Sequence, residues 1–165
     1  MTRLHEIHGD LLDPTLGLDT IGHGVNLAGI MRSGIARQIA DRWPDILPPY
    51  EKACLDRTLV LGGFTTYTTP DGRLIYNLAT QRLTGADARI EAVAIAVQAA
   101  VGDCHQRGIT RLALPRIGAG IGKLDWADVR TVLADIAESQ AVDIVVALHT
   151  PPDTHRRDAG PKEMI

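Results

Sequence analysis

The sequence predicts a three-layer α/β/α sandwich built on a mixed central sheet. Short apolar runs alternate with stretches of helical periodicity, the order that gives a sheet covered by helices on both faces. One hairpin signal, Thr69-Pro70-Asp71-Gly72, lies between two strand-like runs and requires an antiparallel strand in an otherwise parallel sheet. At 165 residues, 45% hydrophobic and 22% charged, the chain has the size and balance of one soluble domain with a sizeable core.

Leu4-His5-Glu6-Ile7-His8 alternates apolar and polar and reads as a half-buried strand that Gly9-Asp10 breaks. A second short strand runs over 19–26 into a loop. Ile35, Ile39 and Trp43 then trace one helical stripe, with Ala36 and Ala40 beside them, ended by Pro44. Pro48-Pro49 opens a short helix over 48–54. Leu59-Val60-Leu61 and 64–67 read as strand, with 74–78 as the antiparallel partner across the hairpin.

The longest helix is expected from Ala86 to Gln106, since Ile90, Val93, Val97, Val101 and Cys104 share one face and Gly108 follows as a stop. Ile109 to Leu114 reads as a buried strand. A third helix carries Trp126, Val129, Leu133 and Ile136 on one side, with Asp125 as N-cap. Val142 to Leu148 forms the last strand. Residues 1–150 are therefore read as one domain, and the polar segment 151–165 as a disordered tail.

Composition removes several function classes. A net charge of -3 argues against a protein that coats nucleic acid, which needs a basic excess. The two cysteines, Cys54 and Cys104, supply neither a disulfide framework nor metal-ligand spacing, so a reduced, cytoplasmic setting is expected. His5 and His8 lie three apart in a strand and face opposite ways, so no metal site is expected. No apolar run is long enough to span a bilayer.

The chemistry concentrates in two loops. Pro115-Arg116-Ile117-Gly118-Ala119-Gly120-Ile121-Gly122-Lys123 joins a buried strand to a helix, and its alternate glycines leave backbone N–H groups bare, which suits a phosphate. The glycine spacing is not that of a dinucleotide-binding fingerprint. Asn26-Leu27-Ala28-Gly29-Ile30-Met31-Arg32-Ser33-Gly34 likewise leaves a strand and enters a helix at Ile35. Ligands of open α/β sheets collect beyond the carboxyl ends of parallel strands, so two such loops converging there can grip a diphosphate from both sides.

His8-Gly9-Asp10-Leu11-Leu12, the 26–36 loop and Leu114-Pro115-Arg116-Ile117-Gly118-Ala119-Gly120 together resemble the macrodomain pattern. The likeness extends to Thr150. Met31 ahead of a Ser-Gly-Ile-Ala helix start, and Leu124-Asp125-Trp126 after the glycine loop, resemble the class that holds the terminal ADP-ribose protein glycohydrolase and the antitoxins that remove ADP-ribose from DNA. The resemblance implies ADP-ribose as ligand and no cofactor. It places Asp10 on the adenine amino group, Leu11 beside the base and Leu148 where an aromatic often stacks. Met31, Arg32, Ser33, Gly34 and Ile35 match the loop around the proximal phosphate and distal ribose. Gly118, Ala119, Gly120, Ile121 and Gly122 match the loop on the other side of the diphosphate. Arg32 can also be read as an exposed loop residue.

The chain departs from that class at two positions. The class lysine falls at Gln81, which cannot form a Schiff base, and the acid of the protein glycohydrolase falls at Gly122, which offers no general base. Asn26 and Gln81 remain as catalytic candidates, the first to orient the distal ribose and the second to hold water or the leaving group. His23 reads as a core histidine and Asp125 as a cap. The expected activity is release of mono-ADP-ribose from ester-linked Glu or Asp sites without a covalent adduct. Two alternatives stay open: a binding module that recognises ADP-ribose without turnover, and a phosphatase acting on ADP-ribose 1''-phosphate. Expected partners are mono-ADP-ribosylated proteins, and nucleic acid only where it carries ADP-ribose, met by a monomer.

Overall fold

A computed structural model describes residues 3–149, so the tail expected at 151–165 lies outside the described residues. The strands are β1 (Leu4–Asp10), β2 (Thr20–Val25), β3 (Phe64–Thr68), β4 (Leu74–Ala79), β5 (Arg111–Leu114) and β6 (Asp143–His149). The helices are α1 (Gly34–Arg42), α2 (Leu47–Leu55), α3 (Ile90–Gln106) and α4 (Trp126–Gln140). They form the mixed six-stranded sheet of the α/β/α sandwich, in the order β1-β6-β5-β2-β4-β3. Every neighbouring pair is parallel except β3 with β4, the hairpin closed by the Pro70-Asp71-Gly72 turn. Gly72 there has φ +88°, which suits a residue without Cβ.

Helices α3 and α4 cover one face of the sheet, where Val93, Val97, Val101, Val129 and Leu133 meet Leu78, Leu112, Leu114, Ile144 and Val146. Helices α1 and α2 cover the other, where Ile39, Trp43, Ile46 and Tyr50 pack on Ile21, Val25, Ile75 and Ala79. Each of the larger aliphatic side chains contributes about 1.5–3 kcal/mol by leaving water. Among the described residues, no helix is long and apolar enough to cross a membrane.

Three boundaries differ from expectation. Leu59-Val60-Leu61 is not strand: Gly62 (φ +84°) donates to the Ala79 carbonyl at 2.8 Å and Gly63 to the Val60 carbonyl at 2.8 Å, turning the chain before β3 begins. Leu59 is thereby tucked into the core while Val60 faces solvent. Helix α3 starts at Ile90 and not at Ala86, because the Asp87 carboxylate accepts from the Arg82 and Leu83 amides, both at 3.0 Å, and holds 82–87 as a loop. Strand β1 runs through Asp10, with an irregular register between Ile7 and Asp10 in place of a break at Gly9.

Strands β5 and β2 are neighbours whose following segments leave in opposite directions, one through α4 to β6 and the other through α1 and α2 toward β3 and β4. A crevice opens at such a switch point.

Candidate functional site

The crevice is a cleft of about 440 Å³, within the roughly 300–1,000 Å³ range of small-molecule sites. Its walls come from the carboxyl ends of β2, β4, β5 and β6. Of the residues expected to touch ligand, Asn26, Ser33, Gly34, Ile35, Gln81, Gly118, Ala119, Gly120, Ile121, Gly122 and Leu148 line it.

Four expected contacts do not. Met31 is only 5% exposed and packs in the core under α1, anchoring the first loop there instead of forming its wall. Leu11 is 1% exposed in the same cluster. Arg32 is exposed and lies outside the cleft lining. Asp10 stands at the end of β1, opposite His149 of β6, and its Oδ1 accepts from the Leu12 amide at 2.9 Å. It shares the sheet edge with the cleft but forms a local turn beyond its wall.

The first loop is shaped by Asn26. Its Oδ1 accepts from the amides of Ala28 (3.0 Å) and Ile30 (3.3 Å), and its Nδ2 donates to the Ile30 carbonyl at 2.8 Å. The buried Tyr50 hydroxyl, carried on α2, approaches the Asn26 carbonyl at 2.7 Å and Oδ1 at 3.0 Å. Burial pushes that hydroxyl up from its ordinary pKa, so it remains a neutral donor. Asn26 therefore shapes the wall that it lines: its Oδ1 and one Nδ2 hydrogen are committed to the loop. Tyr50 has no signal in the sequence, because its partner lies in another element.

This loop delivers the chain to α1, whose N-terminus opens on the cleft. Ser33 occupies the N-cap without a side-chain cap, and no acid stands in the first turn. The amides of Gly34, Ile35 and Ala36, the first of the helix, have no partner within it, and these residues bring the positive end of the helix dipole to the cleft wall. Helix α4 is the opposite case, as Asp125 caps it by accepting from the Ala127 amide at 2.8 Å.

The second loop folds by backbone turns alone. Ile117 donates to the Pro115 carbonyl (2.7 Å), Ala119 to Arg116 (3.1 Å), Lys123 to Gly120 (3.2 Å) and Leu124 to Gly118 (2.9 Å). The amides of Gly118, Gly120, Ile121 and Gly122 donate to no other described group and are available to a ligand. Gly118 holds φ +75°, and a Cβ on Gly122 would sit 2.5 Å from that of Ala88 and 2.8 Å from the Gly118 oxygen. Position 122 is closed to any side chain here. The Ile121 side chain reaches across the cleft to within 3.2 Å of where a Cβ on Gly34 would stand, tying the two loops at the rim.

Thr80, Thr84 and Gly85 complete the wall after β4. Among the described residues, Arg116 is the one ionisable lining side chain, and its guanidinium lies 6.0 Å from the Trp126 ring centre. His23, behind the cleft on β2, is fully buried with Nε2 2.6 Å from Asn77 Oδ1. Because Asn77 Nδ2 donates to Thr65, its oxygen must accept, which puts the His23 proton on Nε2 and leaves Nδ1 without a partner.

A cleft at the switch point, walled by residues of a helix start and a glycine loop whose amides lack partners, has the character of a site for a phosphorylated ligand. The chain belongs to the macrodomain family: the Macro domain model matches residues 23–133. It is 29% identical to a DNA ADP-ribosyl glycohydrolase of Mycobacterium tuberculosis over 155 residues, 92% of this chain and 43% of that protein. The chain thus spans less than half the length of that relative. It is 32% identical to human ADP-ribose glycohydrolase OARD1 over 80 residues, 48% of this chain and 51% of the relative. In structure it resembles the macrodomain of Mycobacterium tuberculosis DarG, with a TM-score of 0.80 at 27% identity, covering 88% of this chain and 97% of that one.

Proposed function

We propose that this macrodomain binds ADP-ribose in the cleft and releases it from ester-linked Glu or Asp sites without a covalent intermediate. The observation that carries the reading is the pair of amide sets without an internal partner, those of Gly34, Ile35 and Ala36 and those of Gly118, Gly120, Ile121 and Gly122, set on two sides of the cleft where a diphosphate would lie. Relatives named as ADP-ribosyl and ADP-ribose glycohydrolases support the choice of ligand and of hydrolysis. Among the described residues, the cleft wall holds no lysine, carboxylate or thiol that could attack the sugar. Catalysis then rests on positioning and on amides that stabilise developing charge. A carboxylate leaves without prior protonation, whereas an arginine-linked sugar needs an acid that the wall does not supply.

One observation favours a second reading, recognition without turnover: both catalytic candidates, Asn26 and Gln81, spend polar atoms on their own loops. Single-turnover release from matched ester-linked and arginine-linked proteins decides between them. The hydrolase reading expects release from the ester alone, with no borohydride-trapped adduct. Tight ADP-ribose binding with no release from either substrate establishes the binding module. Gly120→Glu tests the site itself, since no atom stands within 4 Å of a Cβ there and the domain will still fold. ADP-ribose affinity should fall at least a hundredfold in that folded variant.

A further inference from the structure

Gln81 follows β4, and its side chain reaches the cleft beside the second glycine loop. Its Nε2 donates to the Leu83 carbonyl at 2.6 Å and the Gly85 carbonyl at 3.0 Å. Both neighbours are acceptors, so only one amide orientation satisfies them. The two N–H hydrogens are spent inside the loop, and Oε1 is turned toward Gly122, 3.4 Å from where a Cβ there would stand. That oxygen accepts from no described group. It is a fixed carbonyl acceptor on a residue that lines the cleft.

The strand order gives the cleft a direction. Ala147 and Leu148 make its β6 end apolar, the bare amides occupy the middle, and Thr80, Gln81 and Thr84 make its β4 end polar. Three strand spacings separate the ends, about 14 Å. A ligand with a flat apolar ring at one end, a diphosphate in the middle and a hydroxylated group at the other fits that sequence of surfaces. At the polar end a carbonyl oxygen attracts a hydroxyl and repels an anion, which would face its lone pairs with no cation from Gln81 to offset them.

We propose that Gln81 determines specificity at this end: its amide oxygen accepts from a free hydroxyl of the ligand's terminal sugar and excludes ligands that carry an anion there. The inference rests on the ADP-ribose reading and adds to it which end group is admitted. A diphosphate sugar with free terminal hydroxyls is held, and the same molecule with a terminal phosphate is rejected.

Calorimetry with ADP, ADP-ribose and ADP-ribose 1''-phosphate tests this on the wild-type chain, Gln81→Lys and Gln81→Met. A lysine ammonium has donors for the same two carbonyls, so it keeps the loop anchored while replacing the acceptor by a cation. Gln81→Met keeps the length and removes the acceptor together with the two donors that anchor the loop, so its ADP affinity reports whether the loop has loosened. Wild type should bind ADP-ribose at least tenfold tighter than the terminal phosphate. Gln81→Lys should erase or reverse that preference, and Gln81→Met should lower the preference for ADP-ribose over ADP about three- to tenfold. ADP lacks the terminal sugar, so its affinity should stay within twofold in both variants. If wild type binds none of the three, the ADP-ribose reading falls and this inference with it. If wild type binds ADP-ribose but shows no preference over the terminal phosphate, or keeps the preference in Gln81→Lys, the inference alone is overturned.

Discussion

The first loop, 26–33, is held from within by the polar side chains of Asn26 and Tyr50, whereas no side-chain hydrogen bond from any described residue reaches the second, 115–124. Both walls present unpaired amides to the same cleft. In the first, an amide oxygen gathers backbone donors that would otherwise lack a partner, and a buried tyrosine fixes that oxygen from behind. In the second, the absence of Cβ atoms lets the chain pack against Ala88, Val93 and Leu124 closely enough to turn on itself. One wall is therefore encoded by what two side chains supply, and the other by what its glycines lack. The two respond to different substitutions.

The largest effect is expected where the second wall is filled. Gly122→Asp places a Cβ 2.5 Å from Ala88 Cβ and 2.8 Å from a backbone oxygen, neither of which can move without moving the loop. Overpacking of that kind costs about 3 kcal/mol or more, and ADP-ribose binding should vanish. A denaturant titration showing wild-type stability, with binding retained, would undo the contrast on this side. On the other side, Asn26→Ala removes the shared acceptor and should lower stability by about 2–3 kcal/mol. Affinity should drop tenfold or more as the first loop loosens, and an unchanged Kd would mean that the loop is held by packing.

The two walls are not equally legible in the sequence. Alternate glycines between an apolar run and a capped helix mark the second loop from the sequence alone, because the signal is local in the chain. Asn26 stands out at the first loop as a residue for ligand, while its hold on the loop itself is hidden, since its partner Tyr50 stands 24 residues later on α2. Resemblance puts Met31 and Leu11 against ligand, and the structure buries both side chains under α1. The sheet and helices follow from periodicity with few departures. Those departures fall where a turn overrides an apolar run, as at Gly62-Gly63, or where Asp87 captures amides that helical spacing assigns to α3.

The strand that feeds the first loop offers a pH test of the same contrast. Burial pulls the His23 pKa down from 6.5 to about 4, opposed in part by the Asn77 hydrogen bond. The fold thus favours the neutral ring. Above pH 6.5 both folded and unfolded chains leave it neutral and stability is complete. Between 6.5 and 4 the unfolded chain binds a proton that the folded one refuses, so stability falls, by about 2 kcal/mol at pH 5. His23→Gln should flatten that part of the stability profile, and an unchanged slope would assign it to other groups. Tyr50→Phe is a milder cut: it leaves Asn26 in place and removes one hydroxyl. About 1 kcal/mol of stability and roughly threefold in ADP-ribose affinity should go.

The smallest expected effect falls at the end of the second wall. Lys123 is the residue after the glycine run, and it holds φ +67° with its side chain exposed. A left-handed conformation costs a residue with Cβ about 1–2 kcal/mol, and glycine relieves that while adding freedom to the unfolded chain. Lys123→Gly should therefore raise stability by less than about 1 kcal/mol, a few degrees in Tm at most. The Lys123 amide donates to Gly120 and its side chain stands outside the cleft lining, so ADP-ribose affinity should stay within twofold. A gain in stability without a change in Kd is what a wall set by backbone conformation requires. A fall in affinity would instead show that the Lys123 ammonium takes part in binding, and the second loop would then depend, like the first, on a side chain.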